Sequence, residues 1–118
     1  MTPDEFFAGQ EQSQQLFEAV RQEIESLGEN SLRVTKSQIA FRRRRGFAWV
    51  WMPGMYLKRE TPPLVLTLSL PRRDGSPRWK EIVEPYPGRF THHLELYDPA
   101  DIDEDVRSWL REAWEAGA

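Results

Sequence analysis

The spacing of apolar residues changes twice along the 118-residue chain, and the changes divide it into helix, strands and helix. Leu16, Phe17, Val20, Ile24 and Leu27 recur three and four positions apart, which puts them on one stripe of an α-helix. Gly28 follows that stripe, where a left-handed C-terminal cap belongs. Upstream, Thr2-Pro3-Asp4-Glu5 is a capping box with proline at the first helical position, so a short helix carrying Phe6 and Phe7 precedes the long one.

From Leu32 the period becomes two. Leu32 and Val34, then Ile39 and Phe41, then Phe47, Trp49 and Trp51 read as short strands, with Arg44, Arg45 and Gly46 between the second and third. Gly46 is expected to supply the positive φ of a tight hairpin. Pro53, Pro62 and Pro63 lack the N–H a ladder needs, so residues 53–63 form a loop that carries Lys58 and Arg59. Leu64, Leu66, Leu68 and Leu70 alternate with Val65, Thr67 and Ser69 in the clearest strand. Asp74-Gly75 falls in the following turn, and strands over residues 79–84 and 90–96 flank the turn at Pro85 to Gly88. Asp98-Pro99 opens the last helix, whose buried stripe is Ile102, Val106, Trp109, Leu110, Ala113 and Trp114. The fold class is therefore α+β: an antiparallel meander of four to six strands, with an N-terminal and a C-terminal helix packed on one face. Residues 1–118 make one domain, since a chain of this length supports a single core.

Charge changes the picture of what this fold meets. The formal net charge of −3 hides three segments: residues 1–31 hold seven acids and one base, residues 32–93 thirteen bases and four acids, and residues 94–118 eight acids and two bases. A basic sheet thus lies between two acidic helices, and the overall acidity says little about the sheet's partners. There is no cysteine, so disulfides, zinc-thiolate sites and thiol nucleophiles are excluded. Met1 to Gly9 reads as a helix start rather than an export signal, and no apolar run reaches membrane-spanning length, so a cytoplasmic location without membrane contact is expected.

Four patterns have the residue types of a site. Asp101, Asp103, Asp105 and Glu112 fit positions 1, 3, 5 and 12 of a calcium loop, but Val106 stands where that loop needs glycine, and acids at a helix start complement its dipole. Arg45-Gly46-Phe47-Ala48-Trp49-Val50-Trp51 resembles the aromatic RNA-binding strand of RNA-recognition-motif domains, yet the order of elements around it differs, and the expectation is that Trp49 and its neighbours pack into the core. His92 and His93 are adjacent in a strand and point to opposite faces, so they cannot readily share a metal. His92 falls with Phe90 and Leu94 and is expected to be hydrogen-bonded and half-buried, while His93 falls with Thr91 and Glu95. No partnered nucleophile is visible, so no catalytic residue, metal or cofactor is assigned.

The fourth pattern is basic. Turns of a meander alternate between its ends, which places the turn after strand two and the turn after strand four together. Arg42, Arg43, Arg44 and Arg45 would then share an edge with Arg72, Arg73 and Arg78, and guanidinium groups bind phosphate or carboxylate bidentately. The competing reading is that these arginines are solvated or pair with the acidic helices.

The capped first helix, Val34-Thr35-Lys36-Ser37, the strands from Phe41 to Trp51, His92-His93-Leu94-Glu95-Leu96, and Asp103-Glu104-Asp105-Val106 through Ala113-Trp114 together resemble a bacterial family, domain-of-unknown-function family 5655. More distantly the pattern is similar to YjbR-like and YdhG-like small domains, which implies a frataxin-type architecture with two helices on one face of an antiparallel sheet. Some relatives are joined to nuclease-like domains, which implies an accessory or binding role. The expected function is a non-enzymatic binding or accessory module meeting an anionic partner through the arginine-rich edge. A nucleic-acid-binding domain, or a protein-interaction module with no anionic ligand, are the alternatives. The oligomeric state is open, with a monomer as the default.

Overall fold

A computed structural model describes residues 1–55 and 60–118, so Lys58 and Arg59 lie outside the described residues. The chain runs α1 (Pro3–Phe6), α2 (Glu11–Leu27), β1 (Ser31–Val34), β2 (Ile39–Arg42), β3 (Gly46–Trp51), β4 (Leu64–Leu70), β5 (Glu81–Tyr86), β6 (Arg89–Leu96) and α3 (Glu104–Ala116). Thr2 and Glu5 form the expected capping box of α1, with the Thr2 hydroxyl accepting from the Glu5 amide at 3.2 Å. The chain leaves α2 through Gly28 at φ 140 and ψ −152, a glycine-favouring conformation beyond the αL basin. The last helix starts later than the sequence implies. Asp98 caps a separate 3₁₀ turn, Pro99–Asp101, and Asp103 caps α3 itself by accepting from the Val106 amide.

The six strands form one open antiparallel sheet in the order β1-β2-β3-β4-β6-β5. Hairpin succession holds through β4, after which β6 takes the adjacent place and β5 the edge. Since β4 and β5 both run antiparallel to β6, residues 71–80 must run back alongside β6 from the level of Phe90 to that of His93 before β5 begins. They cross β6 on the helix side. There the Asp74 amide donates to His92 Nε2 at 3.0 Å, and the Trp79 ring lies 4.8 Å from His92 and 4.3 Å from Trp109.

Both long helices cover one face. Leu16, Phe17, Val20 and Ile24 of α2, with Val106, Trp109, Leu110 and Ala113 of α3, join Ile39, Phe41, Ala48, Val50, Leu64, Leu66, Leu68, Leu94 and Leu96 of the sheet in one buried cluster. Each fully buried aliphatic side chain contributes about 1.5–3 kcal/mol relative to exposure. A bulge opposite Phe41 and Arg42 turns Phe47 toward this core as well.

Among the described residues the opposite face of the sheet carries no helix, although Pro53 and Glu60 to Pro62 border it beside Trp51. Register places Ala40, Trp49, Thr67, His93 and Glu81 in one row across it, with Trp51, Val65 and Glu95 in the next. Trp49 and Trp51 are therefore not core residues, contrary to the expectation from alternation. The strand is apolar on both sides, and the covering helices bury Ala48 and Val50 instead.

Candidate functional site

Two surfaces hold residues whose chemistry the core does not use. The first is the end of the sheet where β2 and β4, running in the same direction, both terminate. The turn after β2 is tied to the end of α3, because the Arg45 amide donates to the Gly117 carbonyl at 3.0 Å. Gly46 closes this turn without a positive φ. Its missing side chain serves another purpose: a Cβ there would stand 2.9 Å from the Trp49 ring, so the indole lies down over this glycine.

Three of the seven arginines are engaged by α3 or its approach. Arg43 stacks on Trp114, its guanidinium carbon 3.7 Å from the ring centroid, and donates to the Trp114 carbonyl at 3.0 Å. Arg72 grips Glu112 through Nε and Nη2, both at 2.8 Å, and reaches Asp74 with Nη1. Arg78 donates to both carboxylate oxygens of Asp103 at 2.9 Å. The residues of the calcium-like pattern are thus drawn into other bonds. Asp103 and Glu112 serve arginines, and Asp101 accepts from the amides of Tyr97 and Asp98. The crossing segment also carries Arg78 away from the rest. Asp103 and Gly117 lie at opposite ends of α3, about 20 Å apart at 1.5 Å per residue.

Arg42, Arg44, Arg45 and Arg73 are exposed, and their side chains make no hydrogen bond or ion pair among the described residues. Arg73 follows Arg72, which is anchored on Glu112. Glu112 precedes the Gly117 anchor of the β2–β3 turn by roughly 7.5 Å of helix. The last turns of α3 therefore hold the two basic segments side by side. A hollow of about 360 Å³ opens beside Arg42, Arg43 and Arg44, between that turn and Glu29 to Ser31. A larger hollow, about 1100 Å³, lies elsewhere along the solvent side of α2 among Glu11, Glu18, Glu25, Arg21 and amide side chains, where acids outnumber the one base.

The second surface is the uncovered sheet face. Trp51 Nε1 donates to Thr67 Oγ1 at 3.4 Å, and Thr67 Oγ1 lies 2.7 Å from His93 Nδ1. With Thr67 receiving the indole proton, its own proton finds its acceptor in Nδ1, which leaves the His93 proton on Nε2. Burial holds the His93 imidazole below the ordinary histidine range, against the opposing pull of Glu81. Two connected hollows of about 380 and 390 Å³ meet at Trp51 and His93. The first is lined by Trp49, Thr67, Thr91 and Gln38, and the second reaches Val65, Glu81, Glu95 and Tyr97. A hydroxyl at 2.7 Å from an imidazole has the spacing of a nucleophile and its base. However, Thr67 sits mid-strand, with β4 paired on both sides to β3 and β6, so its neighbouring amides are committed to the ladders rather than free to form an oxyanion hole.

His92 turns to the core as expected, more deeply than half-buried. It is fully enclosed, accepting from the Asp74 amide at Nε2 and donating from Nδ1 to the Phe90 carbonyl at 3.1 Å. Desolvation keeps it neutral, its pKa lowered despite that carbonyl and the Asp74 charge. Burial works to raise the Asp74 carboxyl, but bonds from Trp79 Nε1, the Ser76 amide and Arg72 together hold it below the usual carboxylate range.

Sequence reasoning missed the Trp49–Trp51–Thr67–His93 group. Its signals were the aromatic strand of residues 45–51, which alternation assigns to the core, and the like parity of Trp49 and Trp51, which gives a shared face without saying which one.

These features define a two-layer α+β domain with one helix-covered and one open sheet face. The chain belongs to the domain-of-unknown-function family DUF5655, whose model matches residues 3–117. Neither curated proteins nor solved structures give a significant match. No helix among the described residues is long and apolar enough to cross a membrane.

Proposed function

We propose that this domain is a binding module whose basic sheet end holds the phosphate backbone of a nucleic acid. The observation that carries this reading is the division among the seven arginines. Arg43, Arg72 and Arg78 are spent on the acidic helix, while Arg42, Arg44, Arg45 and Arg73 remain exposed and without side-chain partners among the described residues. The engaged three fix the backbone that presents the other four. Guanidinium groups held this way suit phosphate oxygens, which they bind bidentately.

The test is binding of a fluorescent twelve-nucleotide DNA at rising salt. Four phosphate contacts predict a log–log salt slope of about −3 for a single strand, hence a steep loss between roughly 50 and 200 mM. Reversing charge at Arg42, Arg44, Arg45 and Arg73 should abolish binding while leaving the thermal transition in place. The controls are Lys36 and Arg107, exposed bases away from that end, one in the β1–β2 turn and one in the first turn of α3. Equal loss on reversing these two, or no binding at low salt, would overturn the proposal.

A further inference from the structure

We infer that the uncovered sheet face is a stacking platform for unpaired nucleobases, with Trp49 and Trp51 as its two steps, so that the ligand is a single strand rather than a duplex. This rests on the proposed phosphate-binding end and specifies its substrate class. Both indoles are fixed by the fold. Trp49 lies over the space left by Gly46, and Trp51 is drawn across β4 by its bond to Thr67, itself held by His93. Val65, Thr67 and Ser69 on this face are nearly inaccessible although no helix among the described residues covers them. The side chains above them are the two indoles' neighbours: His93 and Arg89 bond directly to Thr67 and Ser69. Trp49 and Trp51 are both partly exposed, and a base stacks on an accessible aromatic ring.

The basic end and the rings belong to one hairpin. Arg42 pairs with Gly46, the residue beneath Trp49, and Ala40 pairs with Trp49 itself. Arg42 and Ala40 alternate with the buried Ile39 and Phe41, so both face the open side. A strand whose phosphates sit on Arg42, Arg44 and Arg45 can therefore lay its next bases along β3. Charge favours entry from the Trp49 side, since the hollow shared by Trp49, Thr67 and Thr91 holds no carboxylate, whereas Glu60, Glu81 and Glu95 line the one beyond Trp51. Spacing selects the form of nucleic acid. The backbone positions that carry Trp49 and Trp51 are two residues apart on one strand, about 7 Å, twice the 3.4 Å per-strand rise of a duplex. Bases on both rings must be unstacked from each other, which a single strand allows and a duplex does not. His93 Nε2, with no partner among the described residues, stands where the two hollows join and offers a donor to a base edge.

The decisive comparison uses the full chain with three probes of equal charge: a twelve-nucleotide oligothymidine, an abasic oligomer of the same length, and polyglutamate. Oligothymidine should bind about five- to 150-fold more tightly than the abasic strand if one base stacks, and by up to the square of that factor if two do. Trp49→Leu and Trp51→Leu, which keep apolar bulk but remove the ring, should bring it down to the abasic level. Trp51→Phe should restore part of the difference, and abasic binding should be unchanged throughout. Equal affinity for the thymidine and abasic strands, with the salt slope intact, would overturn the stacking platform and leave the phosphate-binding end standing. Binding of polyglutamate as tight as that of oligothymidine would assign the surface to an acidic protein and overturn both. So would the failure of all three probes to bind.

Discussion

Two glycines in this domain act by what they leave empty. Gly28 ends α2 directly beneath Trp114, where a Cβ would approach the ring to 2.8 Å, and its φ of 140 lies where side chains are strained. Trp114 is thereby clamped between Gly28 and the Arg43 guanidinium, while its Nε1 donates to the Glu29 carbonyl at 3.0 Å. One ring thus joins the end of α2, the end of α3 and the basic turn. Gly28→Ala should destabilise the domain by about 1–3 kcal/mol through combined backbone strain and ring displacement. Gly9 also has positive φ, at 77, but nothing stands within 4 Å of its absent Cβ. Gly9→Ala should therefore cost only the left-handed penalty of about 1–2 kcal/mol. Urea denaturation of the two variants checks the order, and a Gly9 variant less stable than the Gly28 variant would refute it. The sequence placed Gly28 correctly as a cap but misread Gly46. A glycine in a turn implies positive φ only when no neighbouring ring needs the space.

At the level of elements, the crossing from β4 to β5 is secured by one aromatic residue. Trp79 is buried between Trp109 and His92, with its Nε1 donating to Asp74 at 2.8 Å, so it pins an otherwise irregular segment against α3. Trp79→Ala and Trp109→Ala should each cost about 3–5 kcal/mol. Because the rings touch, the double variant should lose less than the sum of the singles, with a coupling of about 0.5–3 kcal/mol in chemical denaturation. Additive losses would show the two rings to be independent. This arrangement was only half legible beforehand. The stripe of α3 and the leucines of β4 announce themselves because one face of each is apolar and the other polar or small. An isolated Trp79 in a stretch of Arg, Asp, Gly and Pro has no periodicity to orient it. The same limit applies to β3, where Phe47, Ala48, Trp49, Val50 and Trp51 are apolar on both sides. Parity cannot choose a face there, and the bulge that turns Phe47 inward breaks the parity itself. The arginine-rich end was visible as composition, but which arginines the acidic helix engages depends on the path of the crossing.

Across the whole molecule, the alternation of acidic, basic and acidic segments resolves into partial neutralisation of the sheet by α3. The pairs made by Arg72 and Arg78 are substantially exposed, so each stabilises by only about 0–1 kcal/mol, and they orient more than they stabilise. The pH dependence of folding should instead follow the histidines. His92 and His93 both have pKa values lowered by burial, whereas in the unfolded chain they titrate near the ordinary value of about 6.5. Below that value the unfolded state binds more protons than the folded one. Their contribution is therefore complete above about pH 6.5 and is lost as pH falls through that value toward the folded pKa, with a slope of up to about 1.4 kcal/mol per pH unit for each group. Asp74 and Asp103, held below the carboxylate range, lose their contributions only in more acid solution, which leaves the interval from about pH 6.5 to 5 to the histidines. His92 should dominate, because protonating Nε2 would turn the acceptor of the Asp74 amide into a donor facing a donor. His92→Gln can keep one acceptor and one donor without titrating. Urea midpoints measured from pH 7.5 to 5 should fall for the natural chain and flatten in that variant, with His93→Gln removing the smaller remainder. An equal fall in the His92→Gln, His93→Gln double variant would show that the loss originates in other groups.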